Sequence, residues 1–220
     1  MSTISEEPRS GTNAIADGSG SGSETGKRWS PVLRKIGFVF PHVYVLGMCG
    51  VLFGGFFMQF GQAEYPCPLC MLERVGMMLS ALGPMWILLR ARRFGRIGVA
   101  DLATGYGFAV VASILSSFIS ARHVLLHVND TGYGGMVLHL HTYTWAWITF
   151  MLAAIASGLM LAFQKYLTPG EVRFGRASRA TLWIFGIFLV ANLVSSFVQE
   201  GLHPLYPGNP FSYELLHLFG

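Results

Sequence analysis

Five long stretches without Asp, Glu, Lys or Arg dominate this chain, spanning residues 36–63, 75–89, 102–121, 131–164 and 180–199. A helix rises 1.5 Å per residue, so about 20 apolar residues cross the roughly 30 Å hydrocarbon core of a bilayer. The second stretch reaches that length only if its helix starts near Met71, which draws Arg74 into the membrane. With 52% hydrophobic and 12% charged residues, the chain has too little polar surface to cover a soluble core of this kind. The expectation is an all-α polytopic membrane protein whose first partner is the lipid bilayer.

The flanks differ in material. Residues 1–35 are rich in Ser, Gly, Thr and Glu, with alternation at Gly18-Ser19-Gly20-Ser21-Gly22-Ser23, and read as a disordered tail. No apolar core precedes Lys27, so no signal peptide is expected, and the first span should serve as an uncleaved anchor. Residues 36–165 hold four spans, 166–179 form a loop, 180–199 a fifth span and 200–220 a tail broken by Pro204, Pro207, Gly208 and Pro210. With five spans, Arg9, Lys27, Arg28, Arg34, Lys35, Arg90, Arg92, Arg93, Arg96, Lys165, Arg173, Arg176 and Arg179 share one side. Only Arg74 and Arg122 lie toward the other, which by the positive-inside rule puts the N-terminus in the cytoplasm and the C-terminal tail outside. The net charge of +4 then reflects topology, and nucleic acid is not an expected partner.

Chemistry concentrates at Tyr65-Pro66-Cys67-Pro68-Leu69-Cys70-Met71-Leu72-Glu73-Arg74, on the outer side. The Cys67-x-x-Cys70 spacing brings two sulfurs within disulfide reach, and Pro68 suits the first turn of a helix. A helix N-terminus lowers thiol pKa and favours the attacking thiolate. Cys70 and Arg74, four residues apart, share a helix face, while Glu73 points elsewhere. An arginine one turn inside lipid asks for a partner, such as a cofactor head group or a thiolate; an interfacial anchor is the plainer alternative. Half a zinc site is another reading of the cysteine pair, but no second pair completes it.

Cys-x-Leu-Cys-x-x-Glu-Arg at the start of a second membrane helix resembles the DsbB family, the disulfide bond formation proteins of bacterial inner membranes. The resemblance, over about residues 37 to 165, implies a four-helix bundle with a fifth transmembrane helix added here. It also implies a quinone (ubiquinone or menaquinone) as electron acceptor and a thioredoxin-like periplasmic protein, or a membrane protein complex, as partner. On that basis Cys67 and Cys70 are the expected catalytic pair of a quinone-dependent protein-disulfide oxidoreductase, with Arg74 and Glu73 binding the cofactor. Family members typically carry a second cysteine pair in the other outer loop, whereas residues 121–142 hold none. The remaining thiol, Cys49, lies mid-span and reads as a core residue.

That second loop is rich in histidine instead. His123 and His127 are four apart, and His139 and His141 precede the aromatic run Tyr143-Thr144-Trp145-Ala146-Trp147. These four histidines are candidate ligands for copper, zinc or haem, with a proton-handling role as the alternative. A non-catalytic assembly or metal-handling subunit on the same bundle is therefore the second expected function.

Overall fold

The computed structural model describes residues 24–62, 66–128 and 135–200. In chain order the helices are α1 (Glu24–Gly61), α2 (Pro68–Phe94), α3 (Val99–Leu126), α4 (Thr142–Ala162), the single turn α5 (Gln164–Leu167) and α6 (Arg176–Glu200). Four two-residue strands, β1 (Arg96–Ile97), β2 (Met136–Val137), β3 (Leu140–His141) and β4 (Gly170–Glu171), lie at the helix ends. Five of the helices, all but α5, are long and apolar enough to cross a membrane. The protein is an all-α polytopic membrane protein of the expected type.

Two boundaries differ from the expectation. The helix of the first span starts at Glu24, so residues 24–35, read as part of a disordered tail, continue α1; residues 1–23 lie outside the described residues. Lys27, Arg28, Leu33, Arg34 and Lys35 are good helix formers, and extending an existing helix adds one hydrogen bond per residue without a new nucleus. Within the fourth charge-free stretch, α4 begins only at Thr142. Before it, β2 and β3 pair as a hairpin whose turn residues Leu138 and His139 take φ of 51° and 66°. Residues 201–220, including most of the expected outer tail, also lie outside the described residues.

In a bilayer the apolar effect does not drive helix against helix, so small residues and buried polar groups decide the packing. α2 is the central helix, packed on α1, α3, α4 and α6. At the α2–α3 crossing, Gly83 and Gly105 face each other so closely that a Cβ on Gly83 would sit 2.1 Å from the Gly105 carbonyl oxygen. Nearer the middle, Tyr44 of α1 meets Ser80 of α2 at 2.5 Å, and Ser80 meets Ser113 of α3 at 2.6 Å. Three helices are joined there by one buried hydroxyl cluster. Cys49 is buried in the core, as its position in the first span suggested.

The end of the bundle away from the cysteine pair is clasped. Gly95 caps α2 in the left-handed region at φ 65°, β1 pairs antiparallel with β4, and Val172 N–H donates to the Gly95 carbonyl at 2.9 Å. Arg96 and Arg173 lie at this clasp, and Arg90 pairs with Asp101 at 2.7 Å.

Candidate functional site

The opposite end of α2 carries the thiols. Cys67 is the N-cap, with extended backbone at φ −72° and ψ 164°, and Pro68 takes the first helical position. The Cys67 sulfur accepts the Cys70 backbone N–H at 3.2 Å, so one sulfur occupies the place an N-cap oxygen usually takes. The two sulfurs lie 2.7 Å apart as free thiols. Cys67 is buried and Cys70 partly so.

Behind Cys67 stands a pair that joins two distant segments. His123, near the end of α3, directs Nε2 at Cys67 Sγ at 3.6 Å and Nδ1 at Glu73 Oε1 at 3.0 Å. His123 is 1% exposed and Glu73 5%, so a thiol, an imidazole and a carboxyl form a line sheltered from water. An imidazole protonated on both nitrogens donates to thiolate and carboxylate together; a neutral one serves only one of them. The Cys70 thiol, donating to Cys67, pulls the Cys67 pKa down most, to about 4, with His123 assisting and burial opposing. These contacts favour the thiolate form of Cys67.

Arg74 does not turn to the sulfurs. Its guanidinium donates to Gln59 Oε1 at 2.6 Å and to the Gly55 carbonyl at 2.8 Å, both on α1, and lies 4.9 Å from the Phe56 ring centre. A Cβ at Gly55 would stand 3.3 Å from Arg74 Nε, so the glycine gives the guanidinium its room. The expectation that Arg74 faces the thiols through a shared helix face is corrected accordingly. The buried carbonyl and amide of α1 are nearer partners for a charge held in lipid. Arg74 and Cys70 nevertheless share the wall of one cavity of about 680 Å³ between α1, α2, α4 and the β2–β3 hairpin. Glu73, Gln62, Thr142 and Trp145 also line it.

The four histidines proposed as a metal set do not converge. Among the described residues, the cluster with metal-ligand spacing is Cys67, Cys70 and His123, their ligand atoms all within 4.8 Å. His127 and His141 instead stack on Tyr143, with ring centres at 5.5 Å and 5.1 Å, and His123 packs on the same ring at 4.6 Å. His139 sits in the exposed hairpin turn. The rings are organised around a tyrosine, because aromatic stacking at a membrane boundary needs no ion.

The sequence reading expected the span that α6 forms but missed its contacts with the site. Gln59, which holds Arg74, also donates to Ser195 at 3.1 Å, and Gln199 donates to the Pro66 carbonyl beside Cys67 at 2.5 Å. Ser195 and Gln199 are four apart in a charge-free span, a spacing that places two polar groups on one face. That was the available signal.

A polytopic helical membrane protein with a buried thiol pair at the mouth of one span, backed by an imidazole and a carboxyl, is a membrane thiol protein by class. Residues 39–134 match the family model for disulfide bond formation protein DsbB, so this part of the chain is similar to that family. Membrane disulfide oxidoreduction is the activity that family implies, and the inner membrane is its location. No curated protein and no solved structure matches the chain.

Proposed function

We propose that the protein is a membrane thiol–disulfide oxidoreductase that oxidises a periplasmic partner's dithiol through Cys67 and Cys70 and passes the electrons to a quinone. The observation that carries this reading is the shared cavity, which places Cys70 and the Arg74 guanidinium on one wall opening among apolar residues of α1 and α4. Its lining fits a quinone head: Val51, Leu52 and Trp145 offer apolar contact, and Arg74 and Gln62 offer hydrogen-bond donors to carbonyl oxygens. Bound there, a quinone would supply an acceptor for two electrons and two protons.

The chain's own residues divide the labour. With the pair oxidised, a partner thiolate attacks one sulfur, the Cys67–Cys70 bond breaks, and the partner's second thiol resolves the mixed disulfide; two electrons arrive as a dithiol. Cys67, ahead of the helix, is the sulfur offered to the partner, and Cys70 faces the cavity. His123 stabilises the Cys67 thiolate as leaving group, and Glu73 fixes the ring that does so. Arg74, held by α1, places positive charge where a reduced acceptor gathers negative charge.

With no cysteine at residues 121–142, exchange must occur directly at this pair. Orientation follows the basic residues, with the thiols periplasmic. The decisive experiment traps thiols in living cells with and without quinone. The pair should be oxidised when quinone is present and accumulate as dithiol when it is depleted. A pair that stays reduced under both conditions would exclude this reading in favour of a non-catalytic subunit.

A further inference from the structure

We infer that the reduced pair, together with His123, forms a binding site for a thiophilic divalent cation of the zinc class, with Glu73 as the carboxylate that orients the histidine. The three ligand atoms, two sulfurs and one imidazole nitrogen, lie within 4.8 Å of one another. Tetrahedral zinc with metal–sulfur bonds of about 2.3 Å and metal–nitrogen bonds of about 2.0 Å sets sulfur and nitrogen about 3.5 Å apart. Cys67 Sγ and His123 Nε2 already stand at 3.6 Å. The two sulfurs, 2.7 Å apart, must open to about 3.8 Å, a shift of about one ångström that a rotation of the Cys70 side chain supplies.

The tautomer is arranged for coordination. Nδ1–H donates to Glu73 Oε1 at 3.0 Å, leaving Nε2 to face the sulfurs, and a carboxylate behind a ligating histidine is the usual outer support of such sites. Soft thiolates with one imidazole select zinc-class ions over magnesium or calcium. Three protein ligands leave a fourth position, on the side where Cys70 and Glu73 line the cavity.

Binding moves no electrons. Each ligand still protonated releases its proton to water, and the cation takes two thiolates and one neutral imidazole. A disulfide has no thiolate to give, so the site exists only in the reduced state. An occupied site is consequently a pair withheld from oxidation until the metal leaves, which adds a metal-dependent block to the proposed redox cycle.

The test titrates Zn²⁺ into the reduced full-length protein in detergent, anaerobically, against a chromophoric chelator, and repeats it with Co²⁺ as a visible stand-in. One Zn²⁺ per chain is expected, with Cys67 and Cys70 protected from alkylation and with the intense absorption of tetrahedral thiolate-bound Co²⁺. Glu73→Gln should weaken binding about 10- to 100-fold, as loss of an outer support does elsewhere. His123→Ala should change the Co²⁺ spectrum and weaken binding further. No protection of the thiols, or equal binding in Cys67→Ser/Cys70→Ser, would overturn the inference; so would a Co²⁺ spectrum unchanged by His123→Ala. Neither quinone nor partner enters the titration, so its failure leaves the redox reading standing, and an inert redox pair leaves the titration meaningful.

Discussion

His123 Nδ1 and Glu73 Oε1 meet at 3.0 Å across the α2–α3 interface, and this contact joins the segment that carries Cys67, Cys70, Glu73 and Arg74 to the one that carries His123. A carboxyl buried this far is tolerated only with a partner, and the partner in turn directs its other nitrogen at a sulfur.

The first prediction concerns the pH dependence of Cys67. With its pKa lowered to about 4, the thiolate persists far below the ordinary thiol value of about 8.5. The alkylation rate of Cys67 in the reduced protein, slowed by its burial, should therefore stay level down to about pH 5. The sign for stability follows: a depressed folded pKa contributes stability that is full above the unfolded thiol value and is lost as pH falls through about 4. His123→Asn should move the labelling midpoint upward, and an unchanged profile would detach the histidine from the thiol.

Arg74→Lys should preserve expression but weaken quinone binding or slow pair oxidation by about tenfold or more, because a point charge cannot reach both Gln59 and the Gly55 carbonyl as a planar fork does. Gly55→Val should act in the same direction by crowding the guanidinium. Wild-type quinone content and kinetics in both variants would reduce Arg74 to an anchor.

Cys70→Ser should trap a mixed disulfide between Cys67 and an external thiol protein, seen as a higher-mass band that reductant removes. Cys67→Ser should trap far less, since Cys70 lies inside the helix and against the cavity. Equal trapping by both would reverse the assigned order.

Cysteines introduced at residues 91–97 and 166–175 should be reached by impermeant reagents only from the cytoplasm, and those at 135–141 only from the periplasm. The β1–β4 clasp puts the first two segments at one end and the thiols at the other. Labelling in the reverse sense would place the pair in a reducing compartment.

Charge-free runs disclosed the five spans because lipid imposes length and apolarity on any sequence that crosses it. Cys67, Cys70 and Arg74 were visible for a local reason, being within eight residues of each other on one helix start. The Glu73–His123 contact was not, since 50 residues separate the partners and only the α2–α3 crossing, set by Gly83 and Gly105, brings them together. The aim toward the thiols expected of Arg74 differs from the observed contacts for a similar reason. Helical spacing fixes which face a side chain leaves from, while a long guanidinium goes to whichever buried acceptor is nearest, here on α1. The hairpin before α4 escaped notice because Met136, Val137 and Leu140 are as apolar as the helix that follows.

The contacts of Ser195 and Gln199 make the fifth long helix part of the site's scaffolding. Gln199 steadies the residue that leads into Cys67, and Ser195 steadies the amide that holds Arg74. The smallest piece of this chain able to present the site is accordingly five helices long. Trimming away α6 would spare every cysteine and every charge at the site, and still remove the partners of Pro66 and Gln59 that set the thiol segment and the arginine.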